Sequence, residues 1–328
     1  MIEIQTIQRA EQLSAYRGKV INKDFVLLGE GSNCVFIEDY PGSVLQLALF
    51  GKNIVETNDS YVVRVCSSEN WHEFVKWSLE NNVNGLENLA LIPGTVGASP
   101  IQNIGAYGRE VKDFIFEVEY YDLQCGEIKR LDNRECKFGY RDSIFKQELK
   151  GNAIILSVTF CFPKMWIPET SYGELTNLEA PSPFDVFNKV IEIRRNKLPD
   201  PMFIGNAGSF FKNPVVSREA AELLKQNYAF MPQYTLDNNS TKLAAGWLID
   251  QCGLKGYELN GAAVHDQQAL VLVNKSGNAT GDDLIKLIKH VRKCVYNKFG
   301  VKLEPEVRLI GKDGEYKHID DIESIKNG

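Results

Sequence analysis

The sequence predicts an α+β fold, and three observations carry that prediction. Short runs rich in Val, Ile, Phe and Tyr dominate the first half, and amphipathic helical stretches dominate the second. The two kinds mix without the regular alternation that a doubly wound sheet requires. With 328 residues, the chain has length for about two domains or three small ones.

In chain order, FVLLGEG, CVFI, YVVRVC, FEVEYYDL and AIILSVTFCF read as strands, with polar turns between them. SSENWHEFVKWSLENNVNG reads as a helix: Trp71, Phe74, Val75 and Leu79 share one face, a serine precedes them and Gly85 follows. FDVFNKVIEIRRNK must stop before Pro199. SREAAELLKQN carries Ser217 as its cap, and STKLAAGWLIDQCG reads as a helix that carries Ser240 and closes near Gly253. TGDDLIKLIKHVRKCVYNKFG is the longest, with Thr280 and Asp283 spaced as a capping box and Gly300 as its stop. GAAVH, ALVLVN and VRLIG are strand-like, and PDPMFIGNAG, with two prolines and two glycines, reads as a domain junction.

Hydrophobic content of 44% and charged content of 24% are those of a globular protein. A net charge of -6 and a pI near 5.5 argue against a dedicated nucleic-acid binder. Seven dispersed cysteines with no C-x-x-C, and four scattered histidines, give no zinc signature and read as free thiols in a reducing compartment. MIEIQTIQRAEQ lacks an apolar signal core, and no window reaches about 18 uninterrupted apolar residues, so the expectation is a cytoplasmic protein without a membrane partner.

Five motifs can carry chemistry. GEGSN follows a strand-like run, and its small residues let backbone N–H groups approach an anion; Cys34 stands where a dinucleotide fingerprint would need its third glycine. IPGTVGASPIQNIGAYGRE is too rich in small residues for a helix or strand and suits a backbone wrapped round a ligand. GNAGSFFKNP is not a nucleophile elbow, although a distant histidine such as His265 folding back would leave a serine hydrolase open. YRDSIFK sets Arg141 between an aromatic and an acid, which suits either a fixed guanidinium fork or an ion pair with Asp142. EPEVR places two glutamates around a proline before a strand.

Taken together with SYGEL, KLPDP, KLAAGWLIDQCGLKG and AAVHDQQALVLVN, these motifs resemble the MurB family, the UDP-N-acetylenolpyruvoylglucosamine reductases of peptidoglycan precursor synthesis. The matching segments run in the family's order from residue 29 to residue 308, and SYGEL is similar to the subtype with a tyrosine-bearing substrate loop. The resemblance implies an FAD-binding fold of the vanillyl-alcohol oxidase type plus a C-terminal α+β substrate-binding domain. It places the first subdomain at 1–68 joined by 301–328, the second at 69–198 and the substrate domain at 199–300.

The same resemblance implies non-covalent FAD, with NADPH as co-substrate. Gly29, Glu30, Gly31, Ser32, Asn33, Pro93, Gly94, Gly97, Ala98, Ser99, Gln102, Asn103, Gly105, Ala106 and Tyr107 are then expected to bind the flavin nucleotide. The substrate would be UDP-N-acetylglucosamine enolpyruvate, held by Tyr172, Lys197, Asn213 and Gln268 in a monomer. Arg141 would stabilise the enolate formed on hydride addition, Glu306 would donate a hydrogen bond to it, and Ser209 would deliver the proton. Arg109 receives no role. A flavin oxidoreductase with another substrate and a nucleotide-sugar-binding regulator remain the alternatives.

Overall fold

The computed structural model describes residues 3–17, 25–236 and 239–325. The chain divides into two compact units, Met1–Ser32 with Pro41–Arg194, and Asn33–Tyr40 with Arg195–Gly328.

In the first unit, Ser43–Leu47 lies between Glu3–Ile7 and Phe25–Leu28 in a small parallel sheet. A second, antiparallel sheet runs in the order Glu127–Asp132, Ile115–Asp122, Ala153–Pro163, Ser60–Cys66 and Lys52–Glu56. Helix α1 (Trp71–Glu80) turns Trp71, Phe74, Val75 and Leu79 into the core, as the spacing predicts. The Phe74 and Phe160 rings sit 5.2 Å apart, which fixes the helix over the central strand. The cap of α1 is Asn70, whose side chain accepts from the Glu73 N–H, rather than a serine. Helix α2 (Pro183–Lys197) buries Val186, Phe187, Val190 and Ile193.

The second unit holds an antiparallel sheet in the order Gly205–Ser209, Val271–Asn274, Ala262–Val264 and Glu258–Leu259. The strand Arg308–Gly311 pairs in parallel with Cys34–Phe36, so a segment from early in the chain and the EPEVR run share a sheet. Helix α3 (Arg218–Asn227) is capped by Ser217 as expected. The stretch STKLAAGWLIDQCG departs from its sequence reading. Ser240–Leu243 is a strand between Val215–Ser217 and Gln233–Thr235, with Thr241 and Leu243 turned inward, and helix α4 (Ala245–Gln251) begins only afterwards. Ser240 is therefore no helix cap; pairing on both edges overrides the local signal.

Helix α5 (Gly281–Phe299) sinks Ile285, Ile288, Val291, Val295 and Phe299 into the core and ends at left-handed Gly300. Helix α6 (Ile319–Ile325) follows. Among the described residues, no helix is long and apolar enough to cross a membrane. Several strands, among them Glu3–Ile7, Ser43–Leu47, Lys52–Glu56 and Glu127–Asp132, lie outside the runs read as strands in the sequence.

The capping box of α5 is complete: the Thr280 hydroxyl and N–H both meet the Asp283 carboxylate, at 2.6 and 3.0 Å, and Thr280 accepts from the Asp283 N–H. The Thr280 hydroxyl is the main cause that holds the Asp283 carboxyl down at about 2. The stability this adds is present above the group's ordinary value of 3.8 and is lost as pH falls through about 2. Thr280→Ala is expected to cost about 1 kcal/mol in urea unfolding at neutral pH through the lost cap, with the difference from the parent narrowing as pH falls toward 2.

Candidate active site

Two of the glycine-rich stretches meet in the first unit. The Glu30 carboxylate accepts from the Asn70 amide at 2.6 Å and from the Gly94 N–H at 3.2 Å, so the tip of GEGSN is tied to the turn of IPGT. A Cβ on Gly29 would lie 2.9 Å from the Thr95 hydroxyl, and one on Gly94, where φ is +112°, would lie 3.1 Å from the Ser32 hydroxyl. The space above each glycine is bounded by a hydroxyl, that of Thr95 or of Ser32, and an added side chain would fill it. That fits the binding of a flavin nucleotide's phosphates at these turns.

Gly97 is small for a different reason. A Cβ there would lie 2.5 Å from the Ser67 Cβ, so this glycine lets the loop pack on the protein beneath it. Ser99 and Asn103 are also spent on the loop. The Ser99 hydroxyl donates to Val96, and the fully buried Asn103 carboxamide serves Glu110, Gly139 and Lys112. What these residues can offer a ligand is backbone.

The end of the same stretch is a hairpin between Gly105–Ala106 and Arg109–Glu110. Tyr107 and Gly108 at its tip have φ of +48° and +87°, the pair of left-handed residues that a type I′ turn demands. Arg141 is left-handed as well, at φ +53°, and donates to the Gly105 carbonyl at 3.0 Å. Bulky residues held in this region cost of order 1 kcal/mol or more each and gather at functional sites. The Asp142 carboxylate, the bland partner offered by sequence, accepts from Gln147 and the Ser143 N–H.

A third residue joins them without any sequence signal. Arg194 donates through Nε to Leu91 and hydrogen-bonds Tyr107; burial pulls its guanidinium below the ordinary value, and neighbouring Arg141 adds to that pull. Two guanidiniums beside one tyrosine make this corner ready for an anion.

In the second unit, the strand bearing Ser209 is bulged. Its register with Val271–Asn274 slips between Asn206 and Ser209, and Gly208 adopts φ +73°. The Asn206 carboxamide folds the bulge by accepting from the Gly208 N–H and donating to Ile204. The bulge presents Ser209 to solvent while Phe210 and Phe211, each 1% exposed, anchor the chain behind it.

EPEVR pairs alongside. The Glu306 N–H donates to the Phe210 carbonyl at 2.8 Å, and the Lys212 N–H donates to Glu304 at 2.9 Å. Ser209 and Glu306, 97 positions apart in the chain, are thereby brought to one locus. Asn33 is at this locus too: its amide donates to the Glu306 carbonyl at 3.4 Å, and it belongs to the second unit while Gly29–Ser32 belong to the first. The two glutamates are now distinct, since Glu304 reaches Lys212 at 3.7 Å with its side chain in solvent while Glu306 is half-buried.

Asn213 and Gln268 meet at α4. The Asn213 carboxamide oxygen accepts from the Ala245 N–H at 2.9 Å and so caps the helix from 32 residues away. The Gln268 side chain lies over Gly246 in the first turn, 3.6 Å from where a Cβ would stand. Lys197 ends α2, exposed, and the adjoining Leu198 packs with Ala263, Val271 and Val273 of the serine-bearing sheet. Tyr172 is in the first unit, 44% exposed, its ring edge-on to Tyr107 at 6.0 Å. His265 uses Nδ1 to accept from the Gln267 and Gln268 N–H groups, which closes a turn and leaves the serine-hydrolase reading without its oriented base.

Residues 200–310 match the C-terminal domain of UDP-N-acetylenolpyruvoylglucosamine reductase, and residues 15–132 match an FAD binding domain. The UDP-N-acetylenolpyruvoylglucosamine reductase of Escherichia coli (strain K12) is 49% identical over 320 residues, 97% of this chain and 92% of that one. The chain belongs to the UDP-N-acetylenolpyruvoylglucosamine reductase family. Another relative of that name, from Photobacterium profundum, is 52% identical over 292 residues, 88% of this chain and 84% of its own. The crystal structure of the Thermus caldophilus reductase (MurB) shares the fold at a TM-score of 0.64 and 22% identity, covering 93% of this chain and 91% of that one. The chain is thus an FAD-dependent oxidoreductase, and the α+β expectation with a non-Rossmann flavin domain holds.

Two variants test how this reductase site is built. Gly97→Ala is expected to cost about 1–3 kcal/mol by overpacking against Ser67 and to lower flavin retention, read from unfolding midpoints and from flavin absorbance per protein. Asn213→Ala is expected to lose about 1 kcal/mol through the uncapped α4, whereas Asn213→Asp keeps the acceptor and the midpoint. Equal midpoints for the two variants would mean that the cap is immaterial.

Proposed function

We propose that this reductase converts UDP-N-acetylglucosamine enolpyruvate to UDP-N-acetylmuramate for peptidoglycan precursor synthesis, using NADPH, as a cytoplasmic monomer. FAD, when bound, supplies the two-electron chemistry that links NADPH to the substrate. The chain's own residues hold the reactants, stabilise charge and deliver one proton. Seven free cysteines support the reducing compartment.

Arg141 keeps its charge through turnover and holds the carboxylate as negative charge spreads into it. Glu306 donates a hydrogen bond to the developing enolate. Ser209 gives its hydroxyl proton to the carbon next to the carboxylate. Lys197 and Tyr172 hold the diphosphate, the first as a point charge and the second through its ring and hydroxyl. The Asn213 oxygen is committed to α4, so its NH2 faces the task of donating to the sugar nucleotide, beside Gln268.

The observation that carries this reading is the pairing of the serine strand with EPEVR, which sets a hydroxyl and a half-buried carboxyl at one locus in a chain of this family. NADPH oxidation by the purified protein is expected to be fast only when the enolpyruvyl substrate is present. Ser209→Ala is expected to lower kcat about 10²–10⁴-fold, while reduction of the bound flavin by NADPH alone keeps its parental rate. Full turnover in Ser209→Ala would remove the serine from the proton step; substrate-independent NADPH oxidation in the parent would remove the substrate assignment.

A further inference from the structure

Asn88 belongs to neither the flavin nor the substrate set, yet it joins them. It lies in the short turn Glu87–Leu89 after α1 and is fully buried. Its carboxamide nitrogen donates to two carbonyls at 2.8 Å, those of Tyr107 at the tip of the flavin loop and of Glu169 at the base of the segment that leads to Tyr172. The two carbonyls fix the orientation of the amide, because only its NH2 end can serve both. Its oxygen is buried and accepts no hydrogen bond from the described residues, an omission that ordinarily destabilises a fold. A side chain kept at that cost has its use in the bridge.

Neighbouring contacts fasten the same seam. Arg109 donates to the Ile167 carbonyl at 3.3 Å, and its guanidinium lies 5.9 Å from the centre of the Phe114 ring. The Trp166 indole donates to Glu87 at 2.5 Å. The Glu169 side chain is packed so close over Gly108 that a Cβ there would lie 2.9 Å away. Its carboxylate takes the Ser171 N–H at 2.9 Å and the Ser171 hydroxyl, which with Arg109 holds it below the usual carboxylate range. Past this base the chain reaches Tyr172, whose ring meets Tyr107 edge-on.

We infer that Asn88 and Arg109 are positioning residues that weld the base of the Tyr172 segment to the tip of the flavin loop, so that Tyr172 is aimed at the substrate by the geometry of that loop. The weld is made of donors to backbone carbonyls, so it depends on where the chain runs and tolerates change in the side chains it crosses. It gives Arg109, half-buried in the hairpin's second strand, a function. The inference rests on the reading of Tyr172 as a substrate residue.

The test is a double-mutant cycle on the holoenzyme, with KM and kcat measured for UDP-N-acetylglucosamine enolpyruvate. Tyr172→Ala is expected to raise KM about tenfold or more. Arg109→Leu removes one solvent-side bond, leaves the core intact and is expected to raise KM roughly threefold, with kcat held within about twofold. Asn88→Ala removes both buried bonds and is expected to raise KM about tenfold. In the Tyr172→Ala background, neither substitution adds a further increase. A KM unchanged in both Asn88→Ala and Arg109→Leu overturns the weld, as does an increase that persists at full size without Tyr172. Should Tyr172→Ala itself leave KM at the parental value, the role of that tyrosine falls first, and the weld has nothing to aim.

Discussion

Burial of the adjacent Phe210 and Phe211 rings is the constraint from which the placement of Ser209 beside Glu306 follows. With both rings 1% exposed and their backbone groups paired on either side, the chain around them has little freedom. Phe210 donates to Leu270 on one flank and accepts from Glu306 on the other. That three-way lattice determines where Ser209 emerges and which of the two EPEVR glutamates lies beside it. The apolar residues do not touch the chemistry, and they decide its coordinates.

The first unit solves a different problem with the same economy. A loop from Ile92 to Glu110 with little regular structure must hold its shape, and it does so by consuming its own polar side chains. Asn103 saturates three partners and Ser99 closes a turn, while Glu30 reaches across from GEGSN. With those side chains committed to the loop, Ser99 and Asn103 have their backbone to offer a ligand. Strain is concentrated where the loop hands over to charge: Tyr107 and Arg141 both sit in the left-handed region, and Arg194 brings a second guanidinium to them.

Much of this was legible in the sequence. The helices with strong periodicity, Trp71–Glu80 and Gly281–Phe299, are where the pattern places them, because their apolar stripes and local caps need no distant partner. Ser209 and Glu306 both stand out in the sequence as motif residues, and backbone pairing brings them to one locus. What the sequence hid depends on long-range pairing. Ser240–Leu243 has helix-compatible residues and becomes a strand because two other strands claim its edges. Arg194 is one arginine of a pair on an ordinary helix, and nothing local distinguishes it from Arg195. Asn88 sits in ENLA, a stretch with no turn or cap signature, and its partners lie 19 and 81 residues away. Only packing could reveal those three.

The Asn213 cap has a consequence for inhibition. A compound that grips the carboxamide of this residue grips a group whose oxygen is already owned by helix α4. Escape by substitution then has two masters. Replacements that shed the compound by losing the NH2, such as alanine or valine, also strip the helix of its acceptor, and those that keep an acceptor are confined to a few short polar side chains. Resistance to such a compound at position 213 is narrow because the fold already draws on one end of the amide that the compound would grip.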